Sequence, residues 1–246
     1  MKDGRWEVTS RSHPRSRPRG PARIPEVDVD LDALTPPFAV SDLSEVHGRS
    51  DRLRIAVNGT EFGDLTLDYV ADAALRTGRT LTLADAQALL DAVRRTRVLD
   101  KALDLLAVRA RSARDLRIRL RRAGAVDGDI TWSIDRLVRQ GLLDDAAYAR
   151  QVARAKVVGG GVSRRKVVTE LRRRGIPADA ADEAIDATLT EVDLDEEGAA
   201  LQAAEKRLRA LRSLEPAVQR QRLYAFLARR GFESDVVRRV IASVLR

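Results

Sequence analysis

Arginine is the residue whose number and spacing in this chain could do chemistry. Arg117 and Arg121 fall in one basic stretch, Arg164, Arg165, Lys166, Arg172 and Arg173 in a second, and Arg220 and Arg222 in a third. A guanidinium is a rigid planar fork of donors, so the chemistry on offer is recognition of carboxylates or phosphates. Residues 109–124 hold seven arginines and one acid, residues 163–175 six bases and one acid, and residues 219–231 four arginines and no acid. Arg164, Arg165 and Lys166 read as a single patch. The whole chain carries 45 Lys and Arg against 37 Asp and Glu, a net +8, which favours a polyanionic or acidic partner. The same runs also read as charged faces that solvate helices. Such faces normally mix signs, and these do not.

Other chemistries find no residues to carry them. There is no cysteine, and the two histidines, His13 and His47, lie in the first fifth of the chain. That excludes a disulfide framework, thiolate metal sites and a cysteine nucleophile, and leaves no His for a triad or zinc site elsewhere. Gly159-Gly160-Gly161 precedes Lys166, but the GxxxxGK[ST] spacing of a phosphate loop is missing, and the glycines read as a flexible connector between helices. Asp144-Asp145 reads as a helix cap with first-turn charge. Asp179, Asp182, Glu183 and Asp186 read as a solvated helical face. The sequence therefore predicts no catalytic residue, no metal and no cofactor. Aromatic residues number only nine, too few for base-stacking platforms along a single strand. No apolar run approaches the roughly 18 residues of a membrane span.

The elements that must position the arginines repeat. Gly124, Gly175 and Gly231 recur at intervals of 51 and 56 residues. Four residues before them stand Leu120, Leu171 and Leu227, and eight before them Leu116, Val167 and Leu223. Six residues after them stand Ile130, Ala181 and Val237, ten after Ile134, Ile185 and Ile241, and fourteen after Val138, Leu189 and Leu245. Spacing by four places each set on one helical face, and each glycine sits where a C-cap needs positive φ. A further helix precedes each pair, at about 97–108, 145–157 and 196–211. The chain thus predicts three tandem three-helix repeats, 97–143, 144–192 and 193–246, stacking into a mainly α, curved solenoid. The arginine-rich middle helices then form a basic stripe along one side.

Upstream, residues 46–96 predict a small α/β module. Leu53, Ile55 and Val57 alternate with Arg52, Arg54 and Ala56, and Asn58-Gly59 is a hairpin turn before a return strand over 60–67. A short helix over 68–77 ends at Gly78. Thr82 and Asp85 form a capping box that opens a helix running to about Val93. Residues 1–45 read as a disordered tail and linker, basic over 1–23 and acidic over 24–45, with Val27, Val29 and Leu31 permitting a short strand. Three prolines in the basic part disfavour an amphipathic transit helix.

The joint between the first two repeats carries a family resemblance. Leu137 to Ala149, with Gly141-Leu142-Leu143-Asp144-Asp145 and Tyr148, resembles the corresponding joint of the RecX family of recombination regulators. Gly159 to Gly161, Ser163 to Lys166, Glu170-Leu171 and Arg174-Gly175-Ile176 are similar to the second half of the same signature. Ala102-Leu103 with Ser112, Leu116 and Leu120 fits the first repeat. The resemblance covers about 52–246. It implies a non-enzymatic, cytoplasmic, monomeric regulator that binds RecA filaments on DNA and inhibits ATP hydrolysis, strand exchange and coprotease activity in DNA repair. Direct DNA contact through the basic stripe is an added implication. Two further readings fit the same residues. One is a nonspecific DNA-binding helical protein, since a three-helix unit with a basic helix is similar to a helix-turn-helix. The other is a helical adaptor for a different acidic protein.

Overall fold

A computed structural model of the chain describes residues 23–159 and 161–246. The expectation of a disordered basic tail falls on residues that lie, but for Arg23, outside that range. Among the described residues the chain forms strands β1 (Phe38–Val46), β2 (Arg49–Val57), β3 (Thr60–Thr66) and β4 (Thr80–Leu81), helix α1 (Leu67–Asp72) and the long helix α2 (Leu83–Val108). Eight helices follow: α3 (Ala113–Arg122), α4 (Asp127–Arg139), α5 (Asp145–Ala153), α6 (Arg164–Arg173), α7 (Ala178–Glu191), α8 (Glu196–Arg209), α9 (Pro216–Arg229) and α10 (Ser234–Val244). A π-helical turn, Arg154–Val158, extends α5.

The predicted hairpin is present, with Leu53 opposite Leu65 across β2 and β3. The sheet is antiparallel in the order β3-β2-β1-β4, and β1 lies in the segment expected to be linker. Its outward positions are acidic or polar, which hid the strand, yet Phe38 and Val40 are buried. The module therefore begins before residue 46. Val27, Val29 and Leu31 form no strand; with Leu34 they pack against the module's core as irregular chain. Arg52 sits at a polar position of the alternation and is nonetheless buried, because Asp51 and Asp100 of α2 take its guanidinium. The short helix stops at Asp72, five residues earlier than expected, and Gly78 serves the following turn at φ +83°.

Thr82 and Asp85 make the capping box, but α2 does not stop near Val93. Nothing between 83 and 108 breaks a helix, so the two predicted segments are one rod. Its first half (Ala86, Leu89, Val93) closes the core under the sheet, against Ile55, Val57, Phe62 and Leu65. Its second half (Val98, Leu99, Ala102) closes the core of the first repeat. Arg94 and Arg95 of α2 also reach Asp129 of α4, which is buried. One helix thus couples the module to the repeats.

Three successive cores follow the predicted periodicity. Leu116 and Leu120, Val167 and Leu171, and Leu223 and Leu227 are buried, as are Ile134, Ile185 and Ile241. Each fully buried Leu or Ile contributes about 1.5–3 kcal/mol over an exposed one. The outermost column differs. Val138 is 53% exposed, and Leu137 is buried in its place. Strict spacing by four advances about 40° beyond a full turn per step, so the second step, from Ile134 to Val138, leaves the core face and a step of three, to Leu137, returns to it.

Candidate functional site

The arginine-rich helices α3, α6 and α9 are joined end to end. Gly175 at the end of α6 has φ +91° and lies under the Arg114 side chain of α3. The Ser112 hydroxyl, which caps α3 by accepting from the Asp115 N–H, donates to the Arg174 carbonyl at the C-cap of α6 (2.5 Å). The next joint repeats this. Gly231 at the end of α9 has φ +90° and lies under Ser163 and Lys166 of α6. The Ser163 N–H donates to the Arg230 carbonyl (3.0 Å), and Lys166 Nζ to the Arg229 carbonyl.

A carboxylate completes each joint. Asp145 accepts from the Ala113 N–H (2.8 Å), and Glu196 accepts from the Arg164 N–H (3.1 Å). Asp144 caps its own helix, as the sequence predicts; Asp145 caps the preceding repeat's middle helix instead. Both contacts satisfy N-terminal amides that a helix cannot satisfy itself. At the third C-terminus there is no further repeat, and Ile24 takes the place: its N–H donates to the Ala123 carbonyl (2.9 Å). The acidic segment is therefore anchored at the end of the row, where Arg97 also holds the Pro25 and Glu26 carbonyls.

The predicted contact residues divide between this row and structural duties. Arg165, Lys166 and Arg173 line one surface groove with Arg229 of α9. Arg172, Arg173, Arg220 and Arg222 are exposed, and their side chains make no ion pair or hydrogen bond among the described residues. Arg165 is exposed with only Glu233 near it (3.5 Å). Arg121 pairs with Asp127 (2.7 Å), and Arg117 donates to the Thr131 hydroxyl (3.1 Å).

Arg164 departs from the expected patch. Its guanidinium turns to α7, where Asp182 takes it at 2.8 Å and Asp186 also pairs with it. Its pKa rises through the Asp186 hydrogen bond, and that of Asp186 falls through the same contact. Arg164 thus lies with acidic residues on a different side from the groove of Arg165 and Lys166. The acids of α7 are accordingly partly a tether and not only a solvated face.

Several cations escaped the sequence reading. Arg174 and Arg230 each immediately precede a repeat glycine, a coincidence of spacing that could have marked them. Arg174 lies 5.8 Å from the Tyr148 ring centroid and pairs with Glu170. Burial pushes the Glu170 carboxyl up, but Lys156 and Arg174 more than offset it, so its pKa lies below the usual range. Arg230 lies 4.3 Å from the Phe226 centroid and donates to the Gly161 carbonyl. Burial lowers its pKa, and no acid offsets it. No group of three or more His, Cys, Asp or Glu among the described residues is placed to hold a metal ion. No described helix is long and apolar enough to cross a membrane.

Fold and site together define a tandem three-helix repeat protein that presents a row of cationic helices. Profiles of the first, second and third three-helix domains of RecX match residues 99–137, 144–185 and 195–241. A regulatory protein RecX of Amycolatopsis mediterranei is 36% identical over 144 residues, spanning 58% of this chain and 80% of the relative. One from Halorhodospira halophila is 35% identical over 163 residues, 65% of this chain and 93% of that protein. A solved regulatory protein RecX superposes with a TM-score of 0.65 at 22% identity, covering 82% of this chain and 98% of the other. A RecX structure from Lactobacillus salivarius gives 0.51 at 18% identity, covering 61% and 96%. The chain belongs to the RecX family of regulatory proteins.

Proposed function

We propose that this chain binds RecA filaments on DNA and holds back their ATP hydrolysis, strand exchange and coprotease activity. The observation that carries this reading is the end-to-end joining of α3, α6 and α9. These helices are 10, 10 and 14 residues long. Their combined contour is about 50 Å, enough to touch more than one subunit of a repeating partner. The basic row steers the approach to an acidic groove, and shape fit with apolar contacts sets the residence time. A rigid body lying across neighbouring subunits opposes the movements between them that ATP turnover requires. The chain acts in this reading by binding alone.

The test is RecA ATPase on single-stranded DNA with increasing purified protein. Turnover falls with dose if the reading is right, and unchanged turnover at every ratio overturns it. A second reading, direct nonspecific binding to DNA, draws support from the four exposed arginines Arg172, Arg173, Arg220 and Arg222. Four neutralised phosphates give a log–log salt slope of about −3.6. Co-sedimentation across a salt series separates the two. Naked-DNA binding collapses as salt rises, whereas filament binding keeps a salt-resistant component.

A further inference from the structure

The two joints between repeats open two clefts with the same construction. The first, about 530 Å³, lies between α3 and the second repeat; Arg109, Arg114, Ile118, Tyr148, Lys156 and Arg174 line it. The second, about 560 Å³, lies between Gly159 and Gly161 on one side and the third repeat on the other; Ala203, Lys206, Arg207, Arg209, Phe226 and Arg230 line it. Aligning the cap residues Asp144 and Asp195 superposes Lys156 on Arg207 and Gln151 on Gln202, and both glutamines line their clefts. Aligning Gly175 and Gly231 superposes Arg174 on Arg230. The walls built by α5 and α8 and the arginines before the repeat glycines therefore correspond, whereas Arg114 and Ile118 of the first cleft correspond to Arg165 and Thr169, which line the neighbouring groove of α6.

Their chemistry also agrees. Each has an arginine lying over an aromatic ring, Arg174 over Tyr148 and Arg230 over Phe226. Each has an apolar floor under a basic rim; in the first, Asp115 also lines the cleft and Glu170 pairs with Lys156 and Arg174, so Arg109 and Arg114 are the cations left without an acid among the described residues. In the first, Ile118 is 40% exposed, a large apolar side chain left in solvent at the cleft. In the second, Lys206, Arg207 and Arg209 make no ion pair among the described residues, although Glu205 also lines the cleft. A phosphate backbone offers nothing to an apolar floor. A protein segment bearing a carboxylate beside an apolar side chain satisfies both parts.

We propose that the two inter-repeat clefts are equivalent sockets, each taking one acidic, apolar-bearing segment, so that the chain grips the same determinant on two adjacent subunits of a repeating partner. The proposal rests on the filament reading above and assigns its contacts. Two-site engagement makes the second contact intramolecular, so loss of either socket costs far more on an assembled partner than on a single subunit.

The experiment measures binding to RecA filaments on single-stranded DNA, to RecA subunits tethered singly without DNA, and to DNA alone. Arg109→Glu closes the first socket and Lys206→Glu with Arg209→Glu the second; all three residues are exposed, and unfolding midpoints check the fold. On filaments each closure lowers affinity by at least about tenfold and by similar factors. On single subunits each lowers it by no more than about twofold, since the remaining socket still serves. Ile118→Ser weakens filament binding and leaves DNA binding unchanged. Equal losses on filaments and single subunits overturn the proposal, and so do unaffected filament binding or losses that track naked DNA. A wild-type chain that never binds the filament refutes the RecA reading itself. A wild-type chain that binds while every variant binds equally refutes only the sockets.

Discussion

Alanine at each of the three repeat glycines separates backbone strain from the contact between repeats. Gly124, Gly175 and Gly231 have φ of +98°, +91° and +90°, so an L side chain meets the same left-handed cost at each, about 1–2 kcal/mol. The surroundings differ. A Cβ at Gly124 meets no heavy atom within 4 Å. At Gly175 it stands 2.5 Å from the Cβ and 2.6 Å from the Cδ of Arg114, and at Gly231 2.5 Å from the Ser163 Oγ. Forcing such contacts apart costs about a further 1–3 kcal/mol. Gly124→Ala is thus expected to lose about 1–2 kcal/mol and Gly175→Ala about 2–5 kcal/mol. For a chain of this length each kcal/mol lowers Tm by about 2–4 °C. Thermal unfolding followed by far-ultraviolet circular dichroism, with urea titration as a second measure, reads the difference. Equal losses at Gly124 and Gly175 refute the close joint, because strain alone then explains both.

Three further outcomes follow from the same contacts. Ser112→Ala removes a cap and leaves the partly buried Arg174 carbonyl without its donor, for a loss of about 1–3 kcal/mol in urea unfolding. Arg164→Ala loses exposed pairs with Asp182 and Asp186, costs about 1 kcal/mol and leaves ATPase inhibition near wild type, whereas joint replacement of Arg172, Arg173, Arg220 and Arg222 by Ala weakens inhibition with no change in Tm. Stability falls in acid. Asp115 and Glu170 have depressed pKa values because Arg119 and Arg111, and Lys156 and Arg174, outweigh burial, and Asp186 because Arg164 binds it. Stability from a depressed carboxyl is complete above its unfolded value and disappears as pH falls through the folded one, so unfolding midpoints should hold above about pH 4.5 and drop below it, less steeply in Glu170→Gln.

Amphipathic spacing, cap residues and turn dipeptides are local, and each was readable along the chain. Leu116 with Leu120, Thr82 with Asp85, and Asn58-Gly59 specify a helix face, a helix start and a hairpin through contacts a few residues apart. The sequence also placed positive charge in three middle helices. The family resemblance lay in the joint from Leu137 to Ile176, where loop, cap and helix start are local features.

Tertiary structure decided what each charge does. Strand β1 was hidden in an acidic segment because only its pairing with β2 and β4 reveals which residues face the core. Arg164 and Arg165 are neighbours in sequence, yet one is tied to α7 and the other faces solvent, since adjacent helical positions point about 100° apart. Asp145 reads as ordinary first-turn charge until the fold carries it to the amide of Ala113, 32 residues away. The two sockets exist only where one repeat meets the next. Period and sign belong to the chain; pairing and enclosure depend on which surfaces the packed repeats bring within reach.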